Sequence, residues 1–292
     1  MLQVTPADLL RMRDALTTLH GGVAAFVNEQ GILPSAHSQA DNETRTFSRP
    51  ESVQTVCSQA NLFIEVAADQ LTAFTKTITE PFETIAPWTC IRALLESAAL
   101  AAWLLDPRPS VHERVGRSLA LRYEGLDQQL KFVRIAAPSD APAILTRIDE
   151  VERDAIGMGF QVVTDRHGKR NGIGQRMPSA TVVIRDTLDE EKMYRMLSAV
   201  AHGHFWAIHQ LGFRRNTSRD KTLSSSGVHL SALEKEVNLP GMAYLTLLSA
   251  KAFGRAVWNQ CQYYGWNQGR LVTILENAAD EMNASKRMRF WK

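Results

Sequence analysis

The sequence predicts an all-α fold: a multi-helix bundle of roughly eight helices with a basic loop or small hairpin near residues 160–180. Apolar residues recur at helical spacing through most of the chain, prolines separate the periodic segments, and short loops in the first half favour antiparallel neighbours. With 292 residues and 45% hydrophobic content, the chain can bury a substantial core. We therefore expect a single helical domain over 1–292. The alternative is a subdivision into N-terminal helices (1–80), a central core (81–212) and C-terminal helices (213–292).

The helices of the first half have recognisable start and stop signals. Thr5-Pro6-Ala7-Asp8 is typical of a helix start, and Asp106-Pro107-Arg108-Pro109 is a firm stop. The expected elements are a helix within the first 30 residues, an exposed loop over 31–50, and helices over about Pro50–Thr79, Ile85–Leu105, Ser110–Ala137 and Ser139–Met158.

The pattern changes in the second half of the chain. Residues 157–179 are glycine-rich and basic, which predicts a loop or small hairpin. One amphipathic helix is expected from just after Leu188 to Gly212, followed by a polar connection over 213–238. Two last helices are expected, near Pro240–Trp266 and Asn267–Lys286.

Composition limits the classes of function. The 33 basic and 31 acidic residues give a net charge of +2, so binding to RNA must come from a local patch. Arg166, Lys169, Arg170 and Arg176 form the candidate RNA-binding patch; the alternative is that they are simply solvated charges.

The cysteines and the N-terminal sequence indicate the cellular compartment. Three widely separated cysteines without metal-binding spacing are typical of a reduced cytoplasmic protein, and the N-terminus has no secretory signal pattern. The apolar segment Ile85–Leu105 is long enough to span a bilayer, but Arg92 and Glu96 interrupt it. We therefore expect a core helix and no membrane partner.

The segment Tyr194-Arg-Met-Leu-Ser-Ala-Val-Ala-His202 carries the most chemistry. Arg195 and His202 lie seven positions apart, which on a helix places them ~20° apart around the axis and about 10 Å apart along it. An imidazole and a guanidinium on one face can offer a proton acceptor and an anion clamp to one phosphodiester. Ser198, Trp206 and His209 extend the same stripe. The alternative is a buried hydrogen-bonding pair between helices.

Other chemistries have little support in the sequence. There is no phosphate-binding P-loop pattern and no nucleophile elbow. His202 and His204 would point apart on a helix, and no Glu-x-x-His pair accompanies them, so neither a metal nor another cofactor is expected. The late aromatic residues are candidates for base stacking or, more simply, for the core: Trp258, Tyr263, Tyr264 and Trp266.

Arg195 and His202 resemble the R-x(4-6)-H motif of the HEPN superfamily of helical ribonucleases and nucleotide-binding proteins. The resemblance implies that motif helices of two subunits meet, that His202 transfers a proton from the ribose 2′-hydroxyl, and that Arg195 stabilises charge on phosphorus without a metal. Met196 departs from this family, because active members often carry a polar residue there.

A second resemblance covers about residues 85 to 210. The chain is similar to uncharacterised bacterial helical proteins that share an Arg-x-x-x-Glu helix, here Arg92 and Glu96, a Trp-Leu-Leu segment, and a Tyr-Arg-x-Leu-Ser-x-x-x-His-Gly helix beginning at Tyr194. Arg92 and Glu96 either supply polar partners to the motif, with Glu96 orienting His202 or Arg195, or form an ion pair that holds helices in register.

The expected function is a metal-independent endoribonuclease acting as a homodimer on RNA, in which Arg92, Glu96, Tyr194 and Ser198 support the motif residues. The alternative is a non-catalytic helical interaction or ligand-binding protein with a protein partner, in stress response or phage defence.

Overall fold

A computed structural model describes residues 4–223 and 228–282 of the chain. These residues form eleven α-helices rather than about eight, one 3-10 turn and five strands, so the chain is predominantly helical as expected. The helices are α1 (Pro6–Gln30), α2 (Gln39–Thr46), α3 (Pro50–Thr77), α4 (Ala86–Leu104), α5 (Val111–Ala136), α6 (Ala141–Gly157), α7 (Ala180–Leu188), α8 (Glu191–Ala201), α9 (Phe205–Gly212), α10 (Leu239–Tyr264) and α11 (Gln268–Glu281). The strands are β1 (Val162–Thr164), β2 (Arg170–Ile173), β3 (Gln175–Arg176), β4 (Phe213–Leu223) and β5 (Val228–Lys235).

The predicted helix starts are explained by side-chain caps. Thr5 accepts a hydrogen bond from the backbone N–H of Asp8, whose carboxylate in turn accepts from the Thr5 N–H. Ser110 and Glu113 make the same reciprocal pair at the start of α5. Each pair satisfies N–H groups that have no partner within the helix, which fixes where the helix begins.

The core is centred on α4, which packs against α3 and α10. Its inward face combines Ile91 and Leu95 with the small residues Ala98 and Ala102, all fully or almost fully buried. Small side chains let the neighbouring helices approach α4 closely. The segment expected to be a core helix, Ile85–Leu105, is therefore confirmed as the central helix of the core. Among the described residues, no helix is both long enough and apolar enough to cross a membrane.

Two segments expected to be irregular contain regular structure. The loop expected over 31–50 contains α2, and the polar connection expected over 213–238 contains the antiparallel strand pair β4 and β5. Of the residues of α2 only Ala40 is buried, so apolar periodicity gives no signal for this helix. The segment of β4 and β5 is rich in charged and polar residues, so its sequence predicts a loop rather than strands.

The basic segment expected to be a loop or hairpin is confirmed as a small antiparallel sheet, β1-β2-β3. The short helix α7, which follows this segment, is not among the predicted elements. At the C-terminal end α11 is described to Glu281, and the part of the predicted last helix that extends to Lys286 lies outside the described residues.

The single helix expected from Leu188 to Gly212 is divided into α8 and α9. Gly203 adopts φ +72°, and the N–H groups of Gly203 and His204 donate to carbonyls of the last turn of α8. Glycine takes this left-handed conformation without steric cost and is a common helix terminator. Apolar periodicity continues across the break, which is why the pattern alone predicted one helix.

Candidate functional site

The candidate site lies on α8 and at the turn between α8 and α9. One face of α8 buries Tyr194, Leu197 and Val200 against the core, while Arg195 is on the opposite, exposed face. The helix is therefore anchored by its apolar face and presents its motif residues outward.

Arg195 is exposed and makes one ion pair with its own helix. Its side chain is 67% exposed, and its Nε and Nη2 atoms lie 2.9 and 2.8 Å from Glu191 Oε1. An exposed pair of this kind contributes about 0.3–0.5 kcal/mol, so Arg195 can exchange it for a phosphate oxygen at little cost.

His202 is exposed one residue beyond the last helical residue of α8. Because Ala201 and the preceding residues are helical and His202 itself has φ −86°, its Cβ keeps nearly the phase of the helix. Helical spacing therefore still puts the Cβ atoms of Arg195 and His202 about 20° apart around the helix axis, although the helix ends before His202. Both side chains are exposed, so they do not form a buried hydrogen-bonding pair within this chain.

The stripe does not continue as expected past the break. Ser198 is half-buried on α8, whereas Trp206 and His209 belong to α9, which runs in a new direction after Gly203. At the start of α9, Phe205 and Trp206 are 73% and 54% exposed. The corner formed by the end of α8 and the start of α9 therefore carries an exposed imidazole beside two exposed aromatic rings.

Arg92, Glu96 and Tyr194 form a cluster behind this corner. Arg92 Nη2 lies 3.0 Å from Glu96 Oε1 within α4, and the Tyr194 hydroxyl donates to the same oxygen across 2.7 Å. Burial and the neighbouring Glu96 carboxylate raise the pKa of Tyr194. Glu96 thus pairs with Arg92 and Tyr194 rather than with Arg195 or His202, and the cluster ties α8 to α4.

The candidate RNA-binding residues Arg166, Lys169, Arg170 and Arg176 lie on and around the small sheet, all exposed. Arg170 Nη1 donates to Asp149 Oδ1 across 3.1 Å and to Glu152 Oε2 across 2.8 Å, and these hydrogen bonds to the two carboxylates raise the pKa of Arg170.

Lys169, Arg170 and Arg176 line an open groove between the small sheet and α5. Acidic side chains, including Asp127 and Asp165, line the same groove. The groove therefore carries charges of both signs and is not a continuous basic patch. Whether it contacts RNA stays a prediction.

The sequence analysis does not predict the buried polar network around Arg114. Arg114 is fully buried in α5, its Nε atom lies 3.1 Å from Glu43 Oε2, and its guanidinium carbon lies 4.4 Å from the centre of the Tyr263 ring. The Tyr263 hydroxyl donates to the same Glu43 oxygen across 2.7 Å.

The guanidinium of Arg114 also donates to backbone carbonyls at the end of α4 and in the connection that follows it. Nη1 donates to the carbonyls of Leu104 (3.0 Å) and Asp106, and Nη2 donates to the carbonyl of Pro109 (3.1 Å). The network joins α2, α5, α10 and the α4–α5 connection. The signal in the sequence is weak, because the neighbours of Arg114 on this face of α5 are the half-buried Val111 and the polar Ser118.

The late aromatic residues belong to the core. Trp258, Tyr263, Tyr264 and Trp266 are all buried, so stacking on bases is not their role. Among the described residues, no group of three or more potential metal ligands lies close enough together to hold an ion.

No known family model matches this chain, and comparisons with curated proteins and with solved structures give no match either. Function is therefore inferred from the residues of the corner and their surroundings.

Proposed function

We propose that this chain is a HEPN-like, metal-independent endoribonuclease, with His202 as the acid/base group and Arg195 as the phosphate clamp. The observation that supports the proposal is the exposure of both side chains, together with the helical spacing that puts them on one side. A residue pair that served only to hold helices together would be buried between them. Exposed residues are free to contact a substrate.

The proposed chemistry is an internal transesterification. His202 accepts the proton of a ribose 2′-hydroxyl, the resulting oxygen attacks the adjacent phosphorus, and the bond from phosphorus to the 5′-oxygen breaks. The 5′-oxygen leaves with a proton supplied by a second acid, which we assign to His202 of a second copy of the chain. Arg195 releases Glu191 and stabilises the negative charge that develops on the phosphoryl oxygens.

The two exposed aromatic side chains at the start of α9 support the choice of RNA as substrate. Phe205 and Trp206 lie three and four residues after His202, and exposed flat rings are side chains on which proteins stack unpaired bases. Stacking contributes about 1–3 kcal/mol per base, with little dependence on base identity.

We assign positioning roles to the cluster behind the corner. Arg92, Glu96 and Tyr194 hold α8 against α4 through the 2.7 Å hydrogen bond and the 3.0 Å ion pair. The half-buried Ser198 lies between Arg195 and His202 on α8 and completes the proposed set.

The test is RNA cleavage by the purified full chain in the presence of a chelator, with His202→Ala and Arg195→Ala as test variants. His37→Ala and Arg185→Ala are matched controls, since both are exposed residues of the same types outside the corner; His204 is unsuitable because its ring lies edge-on to the His202 ring, with 6.4 Å between the ring centres. We expect the two test variants to lose cleavage by at least about 100-fold while melting like the parent, and the controls to retain it. Equal loss in test and control variants would contradict the proposal.

Oligomeric state gives a second readout. The proposal expects a homodimer in light scattering, because the acid and the base come from two copies. A strictly monomeric chain that still cleaves RNA would refute the two-copy assignment of the second proton.

A further inference from the structure

Two histidine side chains lie next to each other at the corner of α8 and α9. The ring centres of His202 and His204 are 6.4 Å apart and the ring planes meet at 74°, so one ring presents its edge to the other. Both side chains are exposed. The ribonuclease chemistry proposed above uses His202 but not its neighbour, so the corner holds a second imidazole whose role is open.

The break at Gly203 brings the two imidazoles together. On a continuous helix, residues two positions apart point about 200° apart, and His202 and His204 would lie on opposite sides. Gly203 instead takes φ +72°, and the chain changes direction after His202. Helical periodicity predicts that the two rings point apart, so their proximity is a consequence of this turn.

Backbone hydrogen bonds tie both histidines to the helices on either side of the turn. The His202 N–H donates to the carbonyl of Ser198 across 3.0 Å. The His204 N–H donates to the carbonyl of Ala199 across 2.9 Å, which returns the chain to the last turn of α8. The carbonyl of His204 accepts from the N–H of Ala207 across 3.1 Å, in the first turn of α9. The backbone that carries the two rings is therefore held from both ends.

The nitrogens of both rings are available to a ligand. Among the described residues, no hydrogen bond or ion pair engages the imidazole of His202 or of His204. A neutral imidazole has one N–H donor and one acceptor nitrogen. Two neighbouring imidazoles can therefore act differently on one ligand, because one can accept a proton while the other donates a hydrogen bond.

The separation of the two rings fits one phosphodiester group between them. A charge-assisted hydrogen bond from an N–H group to an oxyanion is about 2.7–2.9 Å long. With 6.4 Å between the ring centres, each imidazole can contact a different oxygen of the same phosphodiester unit. When His202 faces the ribose 2′-hydroxyl, as the proposed chemistry requires, His204 can face a non-bridging oxygen on phosphorus.

We propose that His204 is a further catalytic residue, whose ring N–H donates to a non-bridging oxygen of the phosphate under attack. This inference rests on the proposed function. His204 and Arg195 share the negative charge that develops on the phosphoryl oxygens, and His202 remains the base. No bond to His204 forms or breaks, and His204 transfers no proton.

RNA cleavage by His204→Ala in the presence of a chelator tests this role. We expect kcat to fall about 10- to 100-fold, as for loss of a hydrogen bond to a charged group, while the thermal melt is unchanged because the side chain is exposed. His204→Gln and His204→Asn carry an amide N–H near the two ring-nitrogen positions, and at least one of them should recover most of the lost kcat. His202→Gln should stay inactive, because an amide does not accept the proton. The control His37→Ala should cleave like the parent.

A substrate with a 4-nitrophenyl leaving group separates a phosphate donor from a proton donor. 4-Nitrophenolate leaves without a proton, so loss of a general acid has little effect on this substrate, whereas loss of a phosphate contact slows its cleavage. We expect His204→Ala to cleave a ribonucleoside 3′-(4-nitrophenyl phosphate) about 10- to 100-fold more slowly than the parent.

Two results would overturn the role of His204 and leave the proposed function standing, provided that His202→Ala has lost cleavage. One is RNA cleavage by His204→Ala at the rate of the parent, and the other is an unchanged rate of this variant with the 4-nitrophenyl substrate. If the parent cleaves neither substrate, the proposed function fails and the role of His204 fails with it.

Discussion

Replacing Arg114 with methionine removes the centre of the buried polar network while nearly preserving volume. The carbonyls of Leu104, Asp106 and Pro109 lose their donor, and Glu43 loses its cationic partner. Each orphaned buried acceptor costs about 1–3 kcal/mol, and breaking a buried ion pair from one side costs about 3–5 kcal/mol. Because carbonyls of the α4–α5 connection can reach water after relaxation, we expect a total loss of about 3–5 kcal/mol.

Urea unfolding followed by circular dichroism measures this loss, which corresponds to a fall in Tm of about 5–8 °C. Arg122→Met on the exposed face of α5 is the matched control and should change stability by less than about 0.5 kcal/mol. In the double variant with Glu43→Gln, the two effects should be non-additive by more than about 1 kcal/mol. A loss below about 1 kcal/mol for Arg114→Met, or additive effects in the double variant, would refute the reasoning.

Three further results are expected. Tyr194→Phe removes the hydroxyl that bridges α8 to a carboxylate on α4, and should lower the free energy of unfolding by about 1 kcal/mol; an unchanged urea midpoint would count against this bridge. Gly203→Ala places a Cβ at φ +72° and should lower the free energy of unfolding by about 1 kcal/mol. Its control, Gly125→Ala within α5, should raise the free energy of unfolding by about 0.5–1 kcal/mol. Equal thermal melts of the two variants would contradict this expectation. Burial raises the pKa values of Tyr263 and Tyr264 above their usual 10. The unfolded chain therefore loses these protons first, and stability should fall above about pH 10 by up to about 1.4 kcal/mol per pH unit for each phenol; urea unfolding that is independent of pH in this range would contradict it.

The long helices of the first half were predictable because their signals are local. The Thr5–Asp8 and Ser110–Glu113 pairs act within one turn, and the apolar stripe of α4 is visible in the sequence itself. α2 was not predictable in this way, because it is polar and it is tied to the rest of the chain through Glu43, whose partners come from distant helices.

The candidate site was predictable in part. The spacing of Arg195 and His202 placed them on one side of α8, but it could not show whether that side faces solvent or a neighbouring helix, since both cases share one periodicity. Gly203 was visible as a potential helix end, yet the apolar pattern that continues beyond it concealed the break. The pairing of Glu96 with Tyr194 depends on how two helices pack, which no local pattern encodes.

The most direct test of the proposed function is identification of the RNA ends produced in the presence of a chelator, comparing the parent chain with His202→Ala and the control His37→Ala. We predict that the parent and His37→Ala produce fragments ending in 2′,3′-cyclic phosphate, and that a normally melting His202→Ala does not. If no chain cleaves RNA, or if His202→Ala cleaves as the parent does, His202 is not an acid/base group. The corner would then favour the alternative, a non-catalytic helical interaction or ligand-binding protein.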